Sequence, residues 1–77
     1  MTKGGYRVGL SFNPSGASDV EVIKAMAAAL IDKIDAIAEG SMDPRQETEV
    51  RRLKALAQTA IEEGAMWAVK AATKPAP

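Results

Sequence analysis

The sequence predicts an all-α protein, built as an antiparallel two-helix hairpin with an N-terminal arm. Two long segments carry apolar residues at helical spacing, and the turn Gly-Ser-Met-Asp-Pro separates them. A chain of 77 residues has room for one small domain. We therefore expect a single helical-hairpin domain over residues 1–77, with an arm over 1–17 and helices over about 18–39 and 44–72.

The arm is glycine-rich and is predicted to be irregular, with a short β-like run over residues 6–10 (YRVGL). The run is too short to form a sheet alone and is suited to lying on another subunit. Residues 13–16 (NPSG) have the composition of a turn. Backbone amides in such turns also form anion-binding concavities, so two interpretations of this segment remain open.

The first long helix is predicted to begin at a capping box. Ser18 and Glu21 match the S-x-x-E pattern, and Gly40 is suited to the C-terminal cap. Ile31 lies beside the main apolar stripe, which we expect to face the partner helix. That stripe consists of Val20, Ile23, Ala27, Leu30, Ile34 and Ile37.

The second long helix is predicted to begin with Asp43 as its N-cap and Pro44 in its first turn. Trp67 lies on its apolar stripe and is expected in the core, and Gly64 is expected to make a close contact with another backbone. A single hairpin buries only one seam. The remaining apolar flanks predict a homo-oligomer.

Composition excludes several functional classes. The chain has no cysteine and no histidine, which removes thiolate metal sites, cysteine nucleophiles and the commonest general base. We therefore expect no enzyme activity, no metal and no cofactor. Ten basic residues balance ten acidic ones, so duplex nucleic acid is not an expected partner. The lack of a long apolar run or signal-peptide pattern predicts a cytoplasmic protein without membrane contact.

Lys24 has two interpretations. It follows Glu21 by three residues, which is typical of an exposed ion pair. It also precedes Ala27 and Ala28, whose small side chains leave space beside the ammonium for a flat anionic ligand. Spacing alone does not decide between a solvated pair and a phosphate contact near the helix N-terminus.

Aromatic residues are few, and two of the three precede the first long helix. The rings of Tyr6 and Phe12 are candidates for stacking on nucleobases. The alternative for Phe12 is a hydrophobic staple tucked under the hairpin. Arg52 belongs either to a solvated charged face or to a subunit junction where guanidinium groups gather around phosphates.

Two segments together resemble a known family. Residues 8–16 (VGLSFNPSG) lead into residues 20–32 (VEVIKAMAAALID), and residues 56–71 read LAQTAIEEGAMWAVKA. The pattern T-x-x-E-E-x-x-M-W-A is the more specific part. These segments resemble the phage anti-CBASS cyclic-nucleotide sponges, whose hairpin is related to that of the anti-Thoeris sponges.

The resemblance implies a phage protein in the host bacterial cytoplasm that binds cyclic dinucleotides, with cyclic trinucleotides as a further ligand class, without cleaving them. It implies a hexamer of hairpins with ligand pockets between protomers. It also implies an aromatic wall, a lysine and an arginine as ligand contacts. The matching positions are Phe12 (with Tyr6 as the other candidate ring), Lys24 and Arg52, with Thr59 further along the second helix. Asn13 and Ser15 are further candidate ligand contacts because they belong to the turn beside Phe12. The alternative function is a helical oligomeric module for protein–protein interaction.

Overall fold

The computed structural model describes residues 1–40 and 43–77 and folds them as three helices: α1 (Lys3–Val8), α2 (Ser18–Asp35) and α3 (Pro44–Ala72). The described chain is therefore all-helical, as predicted. The end of α2 lies beside the middle of α3, where Gln58 donates to Asp35 at 3.4 Å. Lys24, earlier in α2, shares a groove with Val69 near the end of α3. These contacts give the antiparallel hairpin.

The N-terminal arm departs from its prediction because residues 3–8 form α1 instead of a β-like run. The side chain of Thr2 caps this helix by accepting from the backbone N–H of Gly5 at 3.0 Å. Gly9 ends it in the left-handed region, with a φ of 64° that glycine adopts without strain. Caps at both ends outweigh the low helix propensity of the two adjacent glycines.

Tertiary packing explains why glycine occupies position 4. A Cβ atom on Gly4 would lie 2.1 Å from the carbonyl oxygen of Ala28, so α1 crosses α2 with the two backbones in close approach. The Gly4 N–H donates to the Asp32 carboxylate at 2.7 Å at the same crossing. Backbone contact, which local periodicity does not encode, therefore fixes α1 on the hairpin.

Both ends of α2 differ from the prediction. Ser18 does not form the capping box, since Ala17 is the N-cap residue and makes no side-chain cap bond. The helix ends at Asp35 with Ala36 as its C-cap, so Gly40 is not the cap. The backbone carbonyls of Asp35 and Ile37 accept instead from the ammonium of Lys54 on α3, at 2.9 and 2.7 Å. This contact satisfies carbonyls that a longer helix would use internally.

The prediction for α3 is confirmed at both ends. Its N-cap Asp43 accepts from the backbone N–H of Arg45 at 2.8 Å, and Pro44 occupies the first turn. The predicted turn over residues 40–44 includes positions 41 and 42, which lie outside the described residues.

The buried face of the hairpin is rotated relative to the predicted stripes. Ile31 is fully buried, whereas Leu30 and Ile37 are about half exposed. The reason is that α1 covers a second flank of α2, which shifts the buried face toward residues 24, 28 and 31. The buried hydrophobic residues of the described chain are Val20, Ala27, Ala28, Ile31 and Ala65.

Trp67 is not in the core of the single chain, contrary to the prediction, because 54% of it is exposed. Gln58 and Ala65 are the buried positions of α3. Trp67 follows Ala65 by two residues, which places it about 200° around the helix and on the opposite face. Within the single chain Gly64 makes no close contact of the kind predicted: outside its chain neighbours and its own helix backbone, a Cβ there would meet no described atom within 4 Å.

Candidate functional site

A groove of about 510 Å³ lies where all three helices meet. Arg7 and Val8 line it from α1, and Lys24 lines it from α2. The wall from α3 consists of Thr59, Glu62, Glu63, Ala65, Met66 and Val69. The groove thus combines two cations, two carboxylates and an apolar floor, and α1 completes it.

Arg7 connects α1 to α3 at this groove. Its guanidinium donates to the side-chain oxygen atoms of Gln58 and Thr59, each at 3.3 Å. It also forms a two-pronged contact with the Glu62 carboxylate, from Nη2 at 3.0 Å and from Nε at 3.5 Å. Gln58 is 2% exposed, so a buried amide orients one edge of the guanidinium.

Lys24 is buried, at 8% exposure, and its ammonium lies under the loop between α1 and α2. The Nζ donates to the carbonyl oxygen of Gly9 at 3.0 Å and to that of Phe12. It also lies 5.4 Å from the centre of the Phe12 ring, within cation–π range. Lys24 is therefore not the solvent-exposed partner of Glu21. It holds the loop while its side chain lines the groove.

The turn ahead of α2 is closed by its own side chains. Asn13 donates to the carbonyl oxygen of Ala17 at 3.0 Å and accepts from the Ser15 hydroxyl at 2.8 Å. The Ser15 hydroxyl in turn accepts from the Ala17 N–H at 3.2 Å. These bonds give the loop a defined shape directly after Phe12. The two side chains that sequence reasoning selected are thus engaged with each other.

The aromatic candidates project into solvent. Phe12 is 70% exposed and Tyr6 is 80% exposed. Phe12 is therefore not a staple tucked under the hairpin. Its backbone is fixed by Lys24 while its ring face stays open, which is the arrangement that stacking on a base requires.

Arg52 lies further along α3, on the wall of a shallower groove of about 400 Å³. It is exposed, and its Nε donates to Glu49 at 3.1 Å. This hydrogen bond holds the pKa of the Glu49 carboxyl below its ordinary value. Thr59 lines both grooves and joins the two candidate regions, whereas Lys24 and Arg52 line different ones.

Comparison with known protein families identifies the family to which this chain belongs. The family described as Acb2/Tad1, hairpin domain, matches residues 5–73, which include the last four residues of α1 and the whole groove. The chain belongs to the Acb2/Tad1 hairpin family. Neither a curated protein nor a solved structure gives a match.

Membership in the Acb2/Tad1 hairpin family confirms the resemblance to the anti-CBASS and anti-Thoeris sponges. At the level of the family, this implies a phage cyclic-nucleotide sponge, a protein that binds its ligand and does not cleave it. Among residues 1–40 and 43–77, no helix combines the length and the apolar character needed to cross a membrane.

Three residues at or beside the groove were not predicted from the sequence. Arg7, Gln58 and Glu62 form one hydrogen-bonded cluster, although 51 or more positions separate Arg7 from the other two. One signal was present: Arg7 and Lys3 are the only charged side chains before Ser18. Two isolated cations in an otherwise neutral arm indicate docking or ligand contact, but only the tertiary fold supplies their partners.

Proposed function

We propose that this protein is a phage-encoded sponge that sequesters cyclic oligonucleotide messengers in the host bacterial cytoplasm without cleaving them. Its ligands are cyclic dinucleotides and cyclic trinucleotides, and their withdrawal leaves CBASS effectors inactive. The observation that carries the proposal is the groove in which Arg7, Lys24 and Thr59 meet, inside a domain of the sponge family.

The chemistry of the groove suits such a ligand. A cyclic dinucleotide carries two phosphate charges and two flat bases. One guanidinium group can bind two phosphate oxygens at once, and exposed aromatic faces stack on bases. We assign Phe12 as the stacking wall, with Tyr6 as the alternative ring, and Lys24 as the cation that fixes that wall and faces the phosphates.

Four further residues are proposed as ligand contacts. Asn13 and Ser15 shape the turn beside the ring, and Thr59 offers a hydroxyl between the two grooves. Arg52 lies on the second groove and contributes charge where neighbouring protomers meet. Sites shared between protomers would bring copies of Arg52 together around one ligand.

We propose a homohexamer as the working assembly. The single chain leaves large apolar side chains exposed on both long helices, α2 and α3, and few hydrophobic residues of the described chain are buried. A small scaffold with such a core needs further burial to be stable. The exposed residues available for this are Val22, Met26 and Leu30 on α2, and Leu53, Leu56, Met66 and Trp67 on α3.

Sequestration and catalysis place different demands on a site. An enzyme gains rate only from contacts that strengthen in the transition state, whereas a sponge needs tight binding of the unaltered ligand. Stacking and paired charges act on the intact cyclic nucleotide. They therefore serve retention of the ligand, as the family relationship implies.

The experiment is a depletion and release assay. The purified protein is mixed with cyclic di-AMP, cyclic di-GMP, cyclic GMP–AMP or cyclic tri-AMP, and the free nucleotide is measured after filtration. The protein is then denatured by heat and the released nucleotide is analysed by chromatography. We expect depletion of at least one nucleotide and its recovery unchanged. Recovery of linear product would identify an enzyme, and no depletion of any nucleotide would refute the sponge.

A second candidate function is a protein–protein interaction module, which the exposed face of α3 favours. Leu56, Met66 and Trp67 are each more than half exposed in the single chain. If this face serves a foreign partner instead of other copies of the chain, the purified protein remains monomeric by light scattering. A hexameric mass supports the sponge assembly instead.

A further inference from the structure

The contact between Arg7 and Glu62 has the geometry of a ligand complex. A guanidinium that meets a carboxylate through two N–H groups presents the same fork that it presents to a phosphate. In the unliganded chain this fork is taken by Glu62, with Nη2 at 3.0 Å and Nε at 3.5 Å. Arg7 therefore already holds an oxyanion, supplied by the protein itself.

The bound carboxylate is positioned to leave. The Glu62 side chain is 40% exposed, whereas that of Arg7 is 20% exposed. The ion pair is partly exposed on the Glu62 side, so water can replace Arg7 as the partner of Glu62 at modest cost. Arg7 keeps its hydrogen bonds to Gln58 and Thr59 in that case and stays oriented toward the groove.

The second cation of the groove is less available to a phosphate. The Lys24 ammonium donates to two loop carbonyls and lies near the Phe12 ring. A phosphate that approached Lys24 would compete with contacts that fix the loop. Arg7 faces one exchangeable carboxylate, so it is the more accessible cation for an incoming anion.

We propose that Arg7 is a phosphate-binding residue of the groove and that Glu62 is an internal competitor for it. This inference rests on the proposed function, since it assumes an anionic nucleotide in the groove. Glu62 occupies the fork when the groove is empty and swings into solvent when a phosphate arrives. The exchange selects against ligands whose charge is too weak to displace the carboxylate.

Glu63 provides a matched control. It lines the same groove, carries the same charge and differs from Glu62 in forming no hydrogen bond or ion pair with Arg7. E62Q and E63Q therefore remove equal charge, but only E62Q frees the guanidinium. Any through-space repulsion between groove and ligand is relieved by both variants.

The test measures the affinity of the unmodified protein, E62Q and E63Q for whichever of cyclic di-AMP, cyclic di-GMP and cyclic GMP–AMP binds most tightly, by titration calorimetry at fixed salt. We expect E62Q to bind about two- to fivefold more tightly than E63Q, the range expected for a partly exposed ion pair. Equal affinities for E62Q and E63Q, or weaker binding by E62Q, would overturn the proposal.

A second pair of variants shows whether Glu62 acts through Arg7. R7K keeps a positive charge but removes the fork, so the advantage of E62Q over E63Q should disappear when each is combined with R7K. If the advantage persists in the R7K background, Glu62 does not act through the guanidinium. The sponge itself fails if the unmodified protein binds none of the nucleotides or cleaves the one that it binds, so the two failures are distinguishable.

Discussion

Replacement of Gly4 by alanine tests the crossing of α1 over α2, on which the groove depends. The added Cβ would lie 2.1 Å from the Ala28 carbonyl oxygen and 2.8 Å from its carbonyl carbon, both of them backbone atoms. A backbone cannot rotate away as a flexible side chain can. We therefore expect α1 to move off α2, and Gly4 to lose its hydrogen bond to Asp32.

The size of the effect follows from these contacts. Overpacking costs about 1–3 kcal/mol, and a lost hydrogen bond to a charged group costs a similar amount if α1 moves to relieve the clash. Alanine recovers up to about 1 kcal/mol of helix propensity. The net loss in free energy of unfolding is thus about 1–2 kcal/mol, or roughly 4–8 °C in melting temperature for each kcal/mol.

The assay is thermal unfolding followed by circular dichroism at one fixed protein concentration, with G64A as the matched control. Gly64 lies inside α3, and a Cβ there meets no atom of the described chain within 4 Å. G64A should therefore gain about 0.5–1 kcal/mol. Amide exchange over residues 3–8 reports whether α1 detaches in G4A. A G4A melting temperature equal to that of G64A would refute the docking of α1 at Ala28.

Three further predictions concern the loop, the aromatic wall and acid stability. K24A should abolish cyclic dinucleotide binding while the mass by light scattering stays unchanged, because Lys24 holds the loop that carries Phe12; intact affinity would contradict this. F12A should weaken binding by about 1–3 kcal/mol in calorimetry, the value of one stacked base, and a larger loss in Y6A would assign the wall to Tyr6 instead. The hydrogen bond from Lys54 holds the pKa of Glu39 below its ordinary value of 4.5. The stabilisation that this hydrogen bond gives is therefore complete above pH 4.5 and is lost as the pH falls through the lower pKa of Glu39 in the folded protein. The melting temperature of E39Q should therefore depend less on pH in that range than the melting temperature of the unmodified protein.

Local signals in the sequence predicted α3 well. Asp43 and Pro44 mark its start by cap chemistry that involves neighbouring residues only. The hairpin and the family resemblance rest on the same kind of information, namely helical spacing and a short motif. Local cap chemistry was therefore sufficient to predict the start of α3, whereas the capping box predicted at Ser18 was wrong.

Features that depend on contacts between distant residues were not predicted from the sequence. The prediction for residues 6–10 was wrong because α1 is stabilised by contacts with Ala28 and Asp32, which follow it by more than 20 positions. The same docking rotates the buried face of the hairpin, which exposes Leu30 and buries Ile31. A short helix that lacks an apolar stripe leaves no periodic signal.

The candidate site also contains residues that the sequence predicted and residues that it did not. Lys24 and Phe12 were selected by residue type and position, and the fold brings them together through a contact between an ammonium and a loop carbonyl. The cluster around Arg7 joins positions more than 50 residues apart, and Gln58 is a polar residue that the fold buries. Only the three-dimensional fold reveals that cluster.

The mass balance of a bound cyclic nucleotide tests the central claim most directly. The protein is saturated with the cyclic nucleotide that binds most tightly, washed and denatured by heat, and the released nucleotide is quantified by mass spectrometry. A sponge returns all of the bound material as the intact cyclic nucleotide. Release of linear nucleotide, or retention of no nucleotide through the wash, would contradict the claim.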